Sequence, residues 1–209
     1  MLTVQDLACL RGDRLLFKHI GFELNAGGLL YVLGENGSGK SSLLRLLCGL
    51  LMPEAGTVFW HGKNIKQDSE IYLSNLLYLG HLNGLKDDLT ALENLQMSAR
   101  LAGDDSSHDV SKEKSLAALM AVGIARCANL PARVLSQGQK RRVALARLWL
   151  TESKLWILDE PFAALDVASV ELLASRLSQH MANGGMTIVT THQDVEIKAQ
   201  SIQILRLSA

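Results

Sequence analysis

The chain reads Gly34-Glu35-Asn36-Gly37-Ser38-Gly39-Lys40-Ser41 between an apolar segment, residues 29–33, and a helical pattern, residues 42–51. The motif matches G-x-x-x-x-G-K-[ST], which requires a strand, a loop and a helix in that order. Glycines let the loop curl so that its N–H groups face inward, and the helix N-terminus adds positive potential. We therefore predict that these residues and Ser42 bind nucleotide phosphates, with Lys40 at the β- and γ-phosphates and Ser41 as a Mg²⁺ ligand.

Two acidic residues follow another apolar segment later in the chain. Residues 155–158 lead directly into Asp159 and Glu160. Acidic residues also end strands for purely structural reasons. Because a phosphate loop lies upstream, we predict that Asp159 is a second Mg²⁺ ligand and that Glu160 activates or orients the attacking water.

Apolar segments alternate with helical patterns along the chain, which indicates an α/β fold. Continuous apolar runs predict central parallel strands, and the more polar early strands predict an antiparallel flank. Between about residues 85 and 132 helical spacing replaces the strand pattern, with Thr90 and Glu93 as a capping box and a turn at residues 103–107. We predict one domain, with a core of residues 1–80 and 133–209 and a helical subdomain of residues 81–132. The predicted strands are residues 22–24, 29–33, 57–60, 76–79, 155–158, 187–190 and 202–207.

Composition excludes several classes of protein. Lys+Arg at 21 equal Asp+Glu at 21 and the pI is about 7.0, whereas nucleic-acid-binding domains are usually basic, so no nucleic-acid partner is expected. Cys9, Cys48 and Cys127 have neither disulfide nor zinc spacing, which favours a reducing compartment. No secretory signal or membrane-spanning run is apparent, so membrane association is expected through a partner.

Residues 135–139, Leu-Ser-Gln-Gly-Gln, precede a helical pattern and resemble the LSGGQ signature of ATP-binding cassette (ABC) ATPases, with Gln137 in place of a glycine. A serine and a glycine at a helix N-terminus form an anion site. The resemblance implies that Ser136, Gly138 and Gln139 contact nucleotide. The next residues, Lys140, Arg141 and Arg142, are interpreted as a solvated helix face.

The resemblance covers almost the whole chain. Residues 162–166 resemble the D-loop of these ATPases, and His192 resembles their switch histidine, which contacts the γ-phosphate. The family implies a P-loop NTPase fold, ATP and Mg²⁺ as ligands, and a homodimer that closes head to tail on ATP. Lys40 of one copy and Ser136 of the other would then flank each nucleotide, and hydrolysis would reopen the pair.

Two positions depart from the common family sequence. Arg11 stands where an aromatic residue usually stacks on adenine; a guanidinium plane can also stack, and Arg11 as a solvated charge is an equal alternative. His81 stands where the family has a glutamine that ligates Mg²⁺ and touches the membrane partner. Histidine titrates near neutral pH, and His81 is predicted to be a metal ligand or, alternatively, a packing or partner-contact residue.

These replacements, the length, the helical subdomain and residues 159–166, Asp-Glu-Pro-Phe-Ala-Ala-Leu-Asp, resemble the ATP-binding subunits of cytochrome c maturation transporters. Those transporters are described as haem exporters, and the resemblance implies either haem export or the release of a haem-loaded chaperone. The resemblance implies integral-membrane permease partners and a location on the cytoplasmic side of the bacterial inner membrane. No C-x-x-C-H haem motif occurs, so no direct haem ligand is evident. The alternatives are the motor of an exporter with other cargo, or a soluble ABC ATPase, which would bring a coiled coil or a second cassette.

Overall fold

The computed structural model describes residues 1–103 and 108–208. The predicted turn at residues 103–107 falls almost entirely outside them. Among the described residues, no helix is both long and apolar enough to cross a bilayer. The strands are β1 (Leu2–Arg11), β2 (Arg14–Leu24), β3 (Gly28–Gly34), β4 (Ala55–Trp60), β5 (Lys63–Asn64), β6 (Leu76–Leu79), β7 (Leu155–Asp159), β8 (Met186–Thr190) and β9 (Ser201–Leu207). The α-helices are α1 (Lys40–Leu47), α2 (Ser69–Ser74), α3 (Ala91–Leu101), α4 (His108–Ala121), α5 (Gln137–Ala146) and α6 (Val167–Ala182).

The chain forms two compact units. The first comprises Met1–Tyr78, Ser153–Pro161 and Leu177–Ala209, and the second comprises Leu79–Glu152 and Phe162–Arg176. The range 81–132 lies within the second unit, and the domain boundaries drawn from the sequence stay a prediction.

A five-stranded sheet in the order β6-β7-β8-β3-β9 forms the centre of the first unit. Strand β3 is parallel to β8 and β9, and β7 is parallel to β8, which confirms the predicted parallel core. Both Val32 and Asp159 pair with Thr190. The carboxyl ends of β3, β7 and β8 therefore meet at one edge of the sheet, where α/β folds bind ligands.

An antiparallel sheet in the order β2-β1-β4-β5 flanks this core. The sequence predicted only residues 22–24 of the long β1–β2 hairpin. Its pairing shifts register at three places along β1, and Asp6 and His19 adopt φ of 49° and 56°. Each bulge adds an unpaired residue and breaks the two-residue apolar period by which a strand is identified.

Helix α1 is shorter than predicted. It ends at Leu47 rather than Leu51, because Gly49 turns the chain with φ of 71° and the N–H of Leu50 bonds back to the Arg45 carbonyl over 2.9 Å. Glycine adopts this left-handed conformation without the steric cost of a Cβ atom and commonly ends helices. The apolar residues beyond it therefore do not belong to the helix.

The second unit contains α3, α4 and α5 around an apolar cluster that includes Leu95, Leu119 and Val143. The predicted capping box is confirmed at the start of α3. Thr90 N–H donates to Glu93 Oε2 over 2.8 Å, and Glu93 N–H donates to Thr90 Oγ1 over 3.1 Å. The two side chains satisfy backbone donors that the first helical turn leaves without partners.

Candidate functional site

The loop between β3 and α1 is closed by Lys40. Its Nζ donates to the carbonyls of Gly34 over 2.7 Å and Glu35 over 3.1 Å, and the side chain is buried. Gly37 and Gly39 adopt φ of 85° and 99°, which favours glycine at both. The loop is thus curled around a lysine at the amino end of α1.

The loop has the features of an anion cradle. Ser38 Oγ is buried without a hydrogen-bond partner among the described residues, so its hydroxyl is available to a phosphate oxygen. A Cβ at Gly34 would lie 2.5 Å from Ser38 Oγ and 2.6 Å from the Leu207 carbonyl oxygen. Glycine is therefore required at position 34 to keep the cradle open.

Asp159, at the end of β7, is the buried carboxylate of the site. Its Oδ2 accepts from Ser41 Oγ over 2.7 Å, and its Oδ1 accepts from Thr190 Oγ1 over the same distance. Mg²⁺ prefers oxygen ligands, keeps several waters and uses few protein groups. The adjacent Ser41 hydroxyl and Asp159 carboxylate fit this preference. Within the described ranges, no cluster of three or more His, Cys, Asp or Glu residues offers a different metal site.

Thr190 was missed by the sequence analysis. Besides donating to Asp159, its Oγ1 accepts the Glu160 N–H over 2.8 Å, so one hydroxyl holds both acidic residues. The only sequence signal is a threonine at the end of an apolar strand. Its meaning depends on the pairing of Asp159 with Thr190 across β7 and β8, which is a tertiary feature.

Glu160 stands in an unusual backbone conformation, with φ of 49°. A non-glycine residue in this region carries strain, which often marks functional positions. Glu160 Oε1 lies 3.3 Å from His192 Nε2, and the same nitrogen lies 3.4 Å from Lys40 Nζ. One ring nitrogen cannot accept from Lys40 and donate to Glu160 at once, so the imidazole tautomer determines which contact it makes.

Arg11 is exposed at the end of the β1–β2 hairpin and pairs with Arg14. In the same hairpin Cys9 pairs with Phe17, and the Phe17 ring lies 3.1 Å from where a Cβ of Gly39 would stand. Arg11 is two residues beyond Cys9, roughly 7 Å along the strand. This hairpin therefore packs on the phosphate loop through Phe17, and Arg11 lies two residues further along β1.

If Arg11 stacks on adenine, Arg11→Ala will weaken ATP binding by about 1–3 kcal/mol, and Arg11→Tyr will recover most of the loss, because both planar groups offer a stacking face. Equilibrium titration with ATP measures the change. Arg14→Ala is the matched control, since it removes the same charge from the same hairpin. Equal affinities of the three Arg11 forms would leave Arg11 as a solvated charge.

The signature residues belong to the second unit, at the start of α5. Ser136 caps the helix: its Oγ accepts the Gln139 N–H over 3.2 Å, and Gln139 Oε1 accepts the Ser136 N–H over 2.8 Å. A Cβ at Gly138 would lie 3.3 Å from the Ala164 carbonyl oxygen, within the D-loop segment. Backbone packing therefore favours glycine at position 138, whereas Gln137 is exposed.

The interpretation of the three basic residues after the signature as a solvated face is wrong for Arg141. Arg141 is buried, and its Nη1 donates to the Gly80 carbonyl over 3.3 Å and to Asn83 Oδ1 over 3.4 Å. Lys140 pairs with Asp87 over 3.0 Å. The sequence offered no signal for this, because helical periodicity cannot show which element packs on a charged residue.

Arg142 also contacts a specific partner, Asp166 of the D-loop segment, over 2.7 Å. Asp166 Oδ1 accepts the N–H of Ser169 in the first turn of α6. Hydrogen bonds from Ser169, and secondarily the charge and hydrogen bond of Arg142, lower the pKa of Asp166. The start of α5 and the D-loop are thus held together within the second unit.

The structure brings Lys40, Ser41, Asp159, Glu160 and His192 together at one sheet edge of the first unit. Four further candidates, Ser136, Gly138, Gln139 and His81, belong to the second unit, whereas Arg11 and the rest of the phosphate loop belong to the first. His81 is exposed in a bend after β6. Its predicted role as a metal ligand, like the roles of the other candidates, stays a prediction.

Comparison with known proteins is consistent with this geometry. The family model described as ABC transporter matches residues 17–163. A Nitrosomonas europaea protein named cytochrome c biogenesis ATP-binding export protein CcmA is 51% identical over 208 residues, which cover 100% of this chain and 96% of the relative. The protein of that name from Escherichia coli strain K12 is 46% identical, over 100% of this chain and 97% of its own length.

A solved structure of a dimeric ATP-binding cassette, in a post-hydrolysis state with ADP and Pi, has the same fold. It superposes with a TM-score of 0.83 at 23% identity and covers 92% of this chain and 88% of its own. The curated relatives are 46% and 51% identical to this chain over its full length. Together with the match to the family model and the shared fold, this identity confirms the predicted resemblance. The chain belongs to the ABC transporter family, as one of its nucleotide-binding, ATP-hydrolysing subunits.

Proposed function

We propose that the chain is the ATP-driven motor of a cytochrome c biogenesis exporter, working with Mg²⁺ as a homodimer on integral-membrane permease subunits at the cytoplasmic side of the inner membrane. The main support for the motor role is that four residues lie together at one sheet edge: Lys40, Ser41, Asp159 and Glu160. The relatives' printed names support the assignment to cytochrome c biogenesis.

One group of residues in the site binds the phosphates, and another takes part in the hydrolysis itself. The loop N–H groups, Ser38 and Lys40 bind the phosphates, and the lysine charge opposes the charge that develops on them in the transition state. Glu160 positions the water and takes its proton, and His192, beside both Lys40 and Glu160, contacts the γ-phosphate. Ser41 and Asp159 would hold Mg²⁺, which supplies charge neutralisation at the β- and γ-phosphates when bound.

Dimerisation completes each site in this proposal. Ser136 and Gly138 start a helix whose N-terminus presents N–H groups and a hydroxyl, which together suit a phosphate. The structure of the dimeric cassette supports such pairing at the level of the fold. ATP would thus act as the contact between two copies, and its hydrolysis would remove that contact.

Genetic complementation tests the cargo assignment. In a bacterium that lacks its own CcmA, the wild-type chain is expected to restore haem-stained c-type cytochromes, whereas Glu160→Gln is not. Glu171→Gln, an exposed residue of α6, is the control that should restore them. Affinity purification from detergent-solubilised membranes, with mass spectrometry, should recover permease subunits of cytochrome c maturation. ATPase activity without complementation, together with a different permease, would indicate another exporter.

A further inference from the structure

We propose that Cys127 is a positioning residue for ATP hydrolysis, because its sulfur anchors Gln139, which in turn orients Ser136 toward the nucleotide bound by a second copy of the chain. The proposal rests on the proposed function, since Ser136 meets ATP only in a head-to-tail pair. It assigns Gln139 a supporting role at the signature, whereas the sequence predicted a direct nucleotide contact.

The capping box leaves the Ser136 hydroxyl proton available. A serine hydroxyl has one proton to donate and two lone pairs to accept with. One lone pair of Ser136 Oγ accepts the Gln139 N–H over 3.2 Å, which restrains the oxygen at the amino end of α5. The proton is then the donor that an incoming phosphate oxygen requires.

Both the oxygen and the NH₂ group of the Gln139 side-chain amide make hydrogen bonds. The Ser136 N–H is a donor, so it must face the amide oxygen, which lies 2.8 Å away. This orientation turns the NH₂ group toward Cys127, with Nε2 3.5 Å from Sγ. Sulfur is a weak acceptor, so the contact contributes less than an N–H to oxygen bond, but it gives the NH₂ group a partner and so favours this orientation of the amide.

Cys127 is well placed to act as an anchor. It ends a 3₁₀ turn, Ala125–Cys127, and its backbone N–H and carbonyl bond to Ile124 and Leu130 over 2.9 and 3.0 Å. Its side chain packs partly against the apolar cluster of α3, α4 and α5. Cys127 therefore ties the signature to the core of the second unit at a point twelve residues away in sequence.

Three substitutions separate anchoring from packing. Serine keeps an acceptor at position 127, valine keeps the volume without an acceptor, and alanine keeps neither. Anchoring predicts that Cys127→Val and Cys127→Ala lower kcat by about 2- to 3-fold, the lower end of the scale of one neutral hydrogen bond, with KM for ATP unchanged. Cys127→Ser should retain most of the wild-type kcat. A packing role predicts the reverse order, with valine the most active and serine the least.

Leu116→Val is the matched control, because Leu116 packs against the same cluster but makes none of the signature hydrogen bonds. It should lower thermal stability and leave kcat unchanged. Steady-state ATPase assays of the full chain, with its permease subunits where these are required, measure both constants. Equal kcat for all Cys127 variants, a serine variant less active than valine, or a change confined to KM would overturn the proposal.

Amide hydrogen exchange gives a readout that needs no hydrolysis. The Ser136 N–H is protected by Gln139 Oε1, so it should exchange about 2- to 3-fold faster in Cys127→Val than in the wild type, but not in Cys127→Ser or Leu116→Val. A wild-type chain without ATPase activity would refute the proposed function and leave this measurement to decide the anchor. If the wild type hydrolyses ATP but the Ser136 N–H exchanges at the same rate in the wild type and in Cys127→Val, only the anchoring role of Cys127 is refuted.

Discussion

Replacing Glu160 with glutamine is expected to lower ATP turnover by about two to four orders of magnitude, the usual scale for removing a general base. Glutamine keeps the size of the side chain but cannot take up a proton from water. The Glu160 N–H bond to Thr190 Oγ1 involves only the backbone, so it survives the substitution and keeps the strand end in place. The phosphate loop is untouched, and ATP affinity should stay close to that of the wild type.

Single-turnover hydrolysis and equilibrium ATP titration, each with Mg²⁺, measure the two quantities separately. Glu171→Gln makes the same chemical change on the exposed face of α6 and should have wild-type kinetics. Because the variant binds ATP without cleaving it, its ATP-bound dimer should persist on gel filtration. Turnover of Glu160→Gln at the wild-type rate would remove Glu160 from the catalytic role.

Lys40→Ala is expected to lower ATP affinity and turnover together. The ammonium group binds the phosphates in the ground state and opposes their charge in the transition state. Loss of one hydrogen bond from a charged donor should weaken ATP binding by about 10- to 100-fold. The substitution also removes the bonds from Nζ to the Gly34 and Glu35 carbonyls, so the loop loses the lysine that closes it.

Thermal unfolding with and without ATP tests this prediction. Ligand binding raises stability by an amount that grows with the logarithm of the ligand concentration over Kd, so the ATP-dependent rise in Tm should be clearly smaller in Lys40→Ala than in the wild type at the same ATP concentration. Lys40→Met keeps a long side chain without a donor and should behave the same way. Lys154→Ala, an exposed lysine before β7, should keep the full rise. Unchanged ATP affinity in Lys40→Ala would contradict the phosphate-loop assignment.

Features that depend on neighbours in sequence could be predicted from the sequence alone. The loop at residues 34–41 has its glycines, lysine and serine at a spacing that only a strand, turn and helix satisfies. The Thr90 and Glu93 capping box closes within one helical turn, so the residue types alone predict it. The central strands β3, β7 and β8 are continuous apolar runs because both faces are buried, and every predicted strand lies within an observed one.

Features that join distant parts of the chain required the tertiary structure. Little in the sequence distinguishes Thr190 from the other threonines. Its role follows from the pairing of β8 with β7, which lets its hydroxyl bond to both Asp159 and Glu160. The burial of Arg141 and the contact between Gln139 and Cys127 depend on which segments pack on α5. Helix caps and apolar periods are determined by local backbone geometry, whereas these contacts form only when the folded chain brings remote residues within hydrogen-bonding distance.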